Sequence, residues 1–466
     1  MKRPHNVNDA QWQAVTHAGE HLLISAGPGT GKTHTLTHRI CYLLSKCQDH
    51  EHILAITFTN KASQEMRQRL DLLCPDSLTR IEASTFHAFC LTCLRAFASL
   101  AHLPKDFQVA SALDIEAVTK EMWSDVQRKE RQKRLQEISR YKNFVTQTPS
   151  EYLASYNHQL RKRNLLDFDD ILWEALCLFH DNKEVLQEVQ SRYRAIFVDE
   201  YQDINHVQHE ILKLLVQGDV GLTPLENAAD KAVGKTPFRF GNDVLPSSKR
   251  ETRNNSLTGL TAIGDPHQAI YGFRGSDVRF FHDFLTDFPL SQHLSLSENY
   301  RSSGNLLAAA HQVIVQGPTL NVPALVARMH TQGRLVIYKA STERAEAEYV
   351  VHEIEKLVGG TSMFSKDSKR VSPEAEGQVS FGDIAILYRM NAQRKPLEEA
   401  LERSGIPYDV SGDLPLCEEK EVLALLPDLL KMRHTPINEV VDYRSALGKN
   451  PSHCLERLLD LAKRSK

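Results

Sequence analysis

Short apolar runs alternate along this chain with stretches whose apolar residues recur every third or fourth position. The runs at 21–25, 53–58, 195–198, 260–263, 293–296, 335–338 and 384–388 read as strands. Between them lie amphipathic helices, such as the one with Leu36, Ile40, Leu43 and Leu44 on one face. Strands alternating with helices predict an α/β protein built on parallel sheets. The rhythm breaks in places. Residues 89–191 are nearly all helical in pattern. Residues 218–259 are polar and rich in Gly, Asn and Ser, the character of a long insertion or surface loop, and 359–377 are similar and shorter. No internal repeat stands out.

Composition narrows this only a little. The 466 residues are 41% hydrophobic and 25% charged, with a net charge of −3. That is a globular profile, and about three or four domain-sized units fit the length. The charge argues neither for nor against nucleic acid, since a local basic groove can sit on a neutral body. No long uncharged apolar run occurs and residues 1–10 are polar, so the expectation is a cytoplasmic chain without a membrane partner. The close pair Cys90 and Cys93 has no second pair to complete a zinc site and reads as reduced, buried thiols. The Lys- and Arg-rich segment 128–142 reads as a solvated helix face, with a DNA-contacting patch as the alternative.

The sharpest chemistry is at 26–33, AGPGTGKT, between an apolar strand and a helix. That context is what a phosphate-binding loop requires. Gly27, Gly29 and Gly31 let backbone N–H groups wrap an anion, and Ala26, Pro28 and Thr30 complete the loop. Lys32 reaches the β- and γ-phosphates and the Thr33 hydroxyl ligates magnesium, so ATP and Mg2+ are the expected cofactors. His34 follows at the same helix start. The apolar run 195–198 ends in Asp199 and Glu200, within DEYQD. Asp199 is placed to hold magnesium and Glu200 to orient and deprotonate the attacking water.

Further motifs carry a resemblance to the UvrD/Rep/PcrA family of superfamily-1 DNA helicases, over about residues 8–420. They are NDAQWQAV, TFTNKA, STFHAF, LLDFDDIL, IGDPHQAIYGFRGSD, ENYRSS and LYRMNAQ, in the family's order. The resemblance implies that Gln11 reads adenine and that Tyr300 stacks on the base; Arg39 reads either as a helper to Gln11 or as an ordinary solvated arginine. It implies that Arg301 reaches the γ-phosphate and that Gln268 senses it. It also implies DNA contacts from Phe58, Asn60, His87, Tyr271, Phe273, Arg274 and Asn391. Aromatic faces such as Tyr271 and Phe273 suit a sequence-independent grip, because every base has a face to stack on. The family usually has Trp where this chain has Phe273.

The resemblance further implies two RecA-like motor domains with helical insertions and ATP between them. The expected divisions are 1–91 and 192–288 for the first motor domain, 92–191 for a helical insertion, 289–419 for an incomplete second motor domain, and 420–466 for the start of a second insertion. The implied activity is ATP-driven 3′-to-5′ movement on single-stranded DNA and unwinding at duplex junctions. Two later family motifs, a Thr-x-His…Lys-Gly pattern and a second arginine finger, are not found in these residues. The chain is therefore expected to be a truncated or split product of a longer helicase that, alone, hydrolyses ATP poorly and does not unwind DNA. Alternatives are the motor of a helicase–nuclease, or an ATP-dependent DNA-binding switch that does not translocate.

Overall fold

A computed structural model describes residues 2–143, 148–218, 259–272, 275–316, 324–359 and 379–410, with short strands at 223–224 and 238–239. The chain divides into two compact units, 1–335 and 336–466.

The first unit is built on a six-stranded parallel sheet, as the α/β pattern predicts. It opens with helix α1 (Asp9–Thr16), whose N-cap Asn8 and third residue Gln11 form a reciprocal capping box. Strand β1 (His21–Ala26) leads into α2 (Lys32–Leu44). Then follow β2 (His52–Thr57), α3 (Asn60–Leu73), β3 (Ile81–Thr85) and α4 (Phe86–Ala96). A helical stretch comes next: the two-residue β4 (Gln108–Val109), α5 (Ala112–Met122), α6 (Arg128–Lys142), α7 (Leu153–Arg161), β5 (Leu165–Leu166), α8 (Phe168–Asp181) and α9 (Lys183–Arg192). The chain returns through β6 (Tyr193–Val198) and α10 (His206–Gln217), the short antiparallel pair β7 (Thr223–Pro224) and β8 (Phe238–Arg239), and β9 (Gly259–Gly264). It continues with α11 (Arg279–His282), α12 (Phe284–Asp287), β10 (Ser291–Leu296), β11 (Glu298–Ser303), α13 (Gly304–Ile314) and β12 (Val326–Met329). The sheet order is β10-β1-β9-β6-β2-β3, and β11 pairs with β12 in a small parallel ladder.

Three features of this unit go beyond the sequence pattern. Strand β3 was not anticipated, because at the sheet edge only its first residue is buried and its sequence carries little apolar signal. β10 was expected to open the second motor domain, but it hydrogen-bonds along β1 from His21 to Ala26 and closes the first sheet. Within 92–191 the helices divide by what they pack against. Apolar faces of α4, α8 and α9 merge with the core of the sheet, through Phe89, Leu94, Leu172, Phe179 and Val189. Only α5–α7 gather around a core of their own, built on Val118, Trp123, Ile138, Tyr156 and Leu160.

The basic run of α6 is partly structural. Lys142 is buried and pairs at 2.7 Å with both Asp167 and Asp170. Against the cost of burial, these carboxylates hold Lys142 charged, above its ordinary value. Arg134 lies 4.2 Å over the Tyr152 ring. Exposed Arg128, Lys129, Lys133 and Arg140 retain the solvated reading.

In the second unit, α14 (Glu343–Val358) packs with the helix Arg394–Arg403 around Ala347, Val351, Ile354 and Leu401. The runs at 335–338 and 384–388, expected as strands, form no ladder; among the described residues no neighbouring strand meets their backbone groups. The expected insertion of 218–259 lies almost wholly outside the described residues, as do residues 360–378 and 411–466. No helix among the described residues is long and apolar enough to cross a membrane.

Candidate active site and nucleic-acid interface

The site lies at the carboxyl ends of β1, β6 and β9, the usual place for a ligand crevice in an open α/β sheet. The loop after β1 turns at Gly29 (φ 69°) and Gly31 (φ 84°), a left-handed conformation that glycine adopts without a Cβ clash. A Cβ on Gly29 would also meet Asn299 Nδ2 at 2.7 Å. Thr30 is fully buried and its hydroxyl donates to Gly27 O at 2.8 Å. Gln11 holds the loop from outside, with Nε2 donating to Thr30 O at 3.0 Å and Oε1 accepting Asn8 N–H at 3.0 Å. Lys32 and Thr33 begin α2, whose N-terminus adds a dipole favourable to anions.

Lys32 Nζ donates to Glu200 Oε2 at 3.1 Å. β6 delivers the acids: the Asp199 N–H donates to Ile56 O at 2.9 Å, continuing the ladder with β2 one residue further. Glu200 then adopts φ 52°, uncommon for a residue with a side chain and the kind of local strain that collects at functional sites. Burial, then the neighbouring Glu200 charge, raises Asp199 to about 6, with Lys32 pulling the other way. The same two causes raise Asp203 to about 6. Gln268 lies in the turn after β9, where its Nε2 donates to Asp265 Oδ2 at 2.7 Å.

The β11 segment closes over the loop. Asn299 is 0% exposed and its Nδ2 donates to Pro28 O. Its Oδ1 accepts the N–H groups of Arg301 and Ser302 at 2.9 and 2.7 Å. The Tyr300 N–H donates to Gly29 O at 2.8 Å. The Tyr300 ring is 46% exposed, and its hydroxyl donates to Glu298 Oε2 at 2.6 Å and accepts from Asn8 Nδ2 at 2.9 Å. Arg328, then Tyr300, pulls Glu298 down to about 2. Tyr300 and Arg301 thus stand beside the loop; Asn299, which anchors them, was missed. An amide inside a motif that also carries Tyr and Arg could have suggested it.

Arg39 is a correction. It is 2% exposed. It donates to Ala14 O, Val15 O and His17 O at 2.9, 3.3 and 3.0 Å, and to Thr261 Oγ1 at 3.0 Å. These are the unpaired carbonyls at the end of α1, so Arg39 caps one helix from another and is not free to assist at a base. His34 is half-buried, with its ring 4.2 Å from that of His38.

The carboxyl ends of β2, β3 and β9 also lead into aromatic pairs. Phe58, at the end of β2, lies 4.8 Å from the Tyr271 ring. Asn60 is exposed at the start of α3. His87 on α4 is stacked at 3.7 Å by Phe168, which opens α8 and is 58% exposed. Burial pushes His87 down to about 4, which keeps its ring neutral. Phe168 was missed; a Phe just after the helix cap, off the apolar stripe, was the available sign. Phe273 and Arg274 lie outside the described residues. Asn391 is exposed on a short turn of the second unit.

The profile of the UvrD/REP helicase N-terminal domain matches residues 7–224 and 245–289, and that of the UvrD-like helicase C-terminal domain matches 294–436. Similar curated proteins include the ATP-dependent DNA helicase PcrA of Staphylococcus epidermidis, 32% identical over 98% of this chain and 56% of that protein. The ATP-dependent DNA helicase UvrD1 of Mycobacterium tuberculosis is 33% identical over 89% of this chain and 51% of its own length. The chain spans about half the length of the curated relatives it matches.

Proposed function

The chain belongs to the UvrD/REP helicase family, and from that premise we propose that it is an ATP-hydrolysing motor that moves on single-stranded DNA and contributes to unwinding at duplex junctions. One observation carries the reading. The phosphate loop with its Lys32–Glu200 pair at 3.1 Å and the Phe58–Tyr271 pair at 4.8 Å are joined through the short turn after β9.

Lys32 leaves Glu200 for the β- and γ-phosphates of ATP, aided by the loop N–H groups. Glu200 then accepts a proton from a water molecule as its oxygen attacks the γ-phosphorus. The bond from that phosphorus to the β–γ bridging oxygen breaks, releasing ADP and phosphate. Gln268 senses the γ-phosphate and Arg301 stabilises its developing charge. Gln11 and Tyr300 hold the base. Thr33 and Asp199 offer the oxygen donors that magnesium prefers, and a cation there would offset the burial cost and the Glu200 repulsion that raise Asp199 to about 6. When bound, the ion supplies neutralisation of phosphate charge.

Phe58, Tyr271, His87 and Phe168 provide faces for bases, with Asn60 beside them and Phe273, Arg274 and Asn391 as further contacts. The test is phosphate release by the 466-residue chain with and without oligo-dT. A rise on adding the oligonucleotide, lost in Lys32→Ala, is expected. DNA binding without stimulated turnover would favour a switch over a motor.

A further inference from the structure

Gln202 is 1% exposed, in the turn directly after Glu200. Its carboxamide is used at both ends. Nε2 donates to Glu200 Oε2 at 3.0 Å and to Asp203 Oδ2 at 3.2 Å. Oε1 accepts the Asp265 N–H at 2.9 Å. Asp265 Oδ2 in turn accepts Gln268 Nε2 at 2.7 Å. Gln268 is joined by a short stretch of chain to Tyr271, which packs on Phe58. A hydrogen-bonded path therefore runs from the base Glu200 to the segment carrying the DNA-facing aromatic.

Two details make Gln202 specific to this path. Gly264 ends β9 against it, and a Cβ there would come within 2.3 Å of Gln202 Oε1. Lys32 and Gln202 also both donate to Oε2 of Glu200, at 3.1 and 3.0 Å, which leaves Oε1 for the water. Once Lys32 turns to phosphate, Gln202 is the donor that remains.

We propose that Gln202 is a positioning residue that fixes the Glu200 carboxylate and transmits strand occupancy at Phe58–Tyr271 to it through Asp265 and Gln268. This rests on the hydrolytic reading of the site. Gln268 has two places for its amide, Asp265 as seen here and the γ-phosphate of bound ATP, so the Asp265–Gln202 link has two states to report. Only a carboxamide presents donors to two carboxylates at one end and an acceptor to an N–H at the other. A carboxyl here would donate only while protonated.

The test uses the full chain as Gln202→Met, Gln202→Glu and Gly264→Ala, each checked for folding by its thermal transition. Affinity is measured for a fluorescent non-hydrolysable ATP analogue. Turnover is measured with and without oligo-dT, and oligo-dT affinity with and without the analogue. Gln202→Met should bind the analogue like the parent but lose about 10- to 100-fold in stimulated kcat, the effect of a hydrogen bond to a charged group. The analogue should also cease to alter its oligo-dT affinity, since the two sites are no longer linked. Gly264→Ala should behave alike, because it displaces the carboxamide without replacing it. Gln202→Glu should lose stimulated turnover likewise, because an ionised carboxyl beside Glu200 and Asp203 accepts and cannot donate. Parent-like kcat and linkage in Gln202→Met or Gly264→Ala would overturn the proposal, as would an equal loss of nucleotide and DNA binding. If the parent itself lacks DNA-stimulated turnover and linkage, the hydrolytic reading fails and this inference falls with it.

Discussion

Lys32 and Glu200 face each other at 3.1 Å, yet their removal should have different consequences. Lys32→Ala removes the cation that neutralises phosphate and should weaken binding of an ATP analogue by about 100-fold or more. Glu200→Gln keeps the shape of the site but cannot take a proton. It should bind the analogue within a few-fold of the parent while single-turnover hydrolysis slows by roughly 100- to 10,000-fold. Equal loss of binding in both variants would contradict these roles. Asp199 gives a prediction of opposite sign for stability. Its folded value, about 6, lies above the ordinary 3.8, so the folded state holds its proton more tightly than the unfolded chain. Stability is therefore lost as pH rises from about 3.8 to about 6. Asp199→Asn escapes that loss and should be more stable at pH 8, by about 3 kcal/mol. The gain should vanish below the unfolded value, as thermal melts at pH 8 and about 3.5 would show, while hydrolysis is lost.

At the scale of elements, buried charges join helices that are separate in sequence. Arg39 on α2 collects three carbonyls from the end of α1 and the Thr261 hydroxyl from β9. Arg39→Met should cost about 3–5 kcal/mol in denaturant unfolding, because buried carbonyls lose their donor. The effect should reach nucleotide binding through Gln11, which α1 carries. Lys142→Met should cost a similar amount by stranding Asp167 and Asp170, without touching the phosphate loop. The aromatic faces come from the ends of β2, α4 and α8 and the turn after β9. Phe58→Ala, Tyr271→Ala and Phe168→Ala should each weaken oligonucleotide binding by about 1–3 kcal/mol, similarly for oligo-dT and oligo-dA. Unchanged binding with normal folding would make those rings part of the packing.

For the whole molecule, a net charge of −3 requires any phosphate grip to be local. Oligonucleotide affinity should nevertheless fall steeply with salt, linearly in logarithmic terms, because each neutralised phosphate releases counterions. A titration from 50 to 200 mM salt (about a fourfold range) measures the slope. A flat response would mean that stacking alone holds the strand. The sequence pattern conveyed the parallel α/β class because strands buried on both faces are continuously apolar, as β1 and β2 are. It could not convey β3, whose place at the edge leaves most of its residues partly open to solvent.

What the sequence determined by itself was chemistry carried by contiguous residues. The glycines and Lys32 of 26–33 and the acids closing β6 act within a few bonds of one another, so their spacing already states the geometry. What the tertiary structure decided was every contact made across the sheet. Arg39 could be read from sequence only as exposed or helpful at a base, yet strand order puts Thr261 and the end of α1 within its reach. β10 looked like the start of another domain until its hydrogen bonds to β1 placed it. Phe168 meets His87, and Gln202 meets the Asp265 N–H, although long stretches of chain separate each pair. The reason is physical. Parallel strands pair only through crossovers, so neighbours in the sheet are distant in the chain, and no local pattern records which ends will meet.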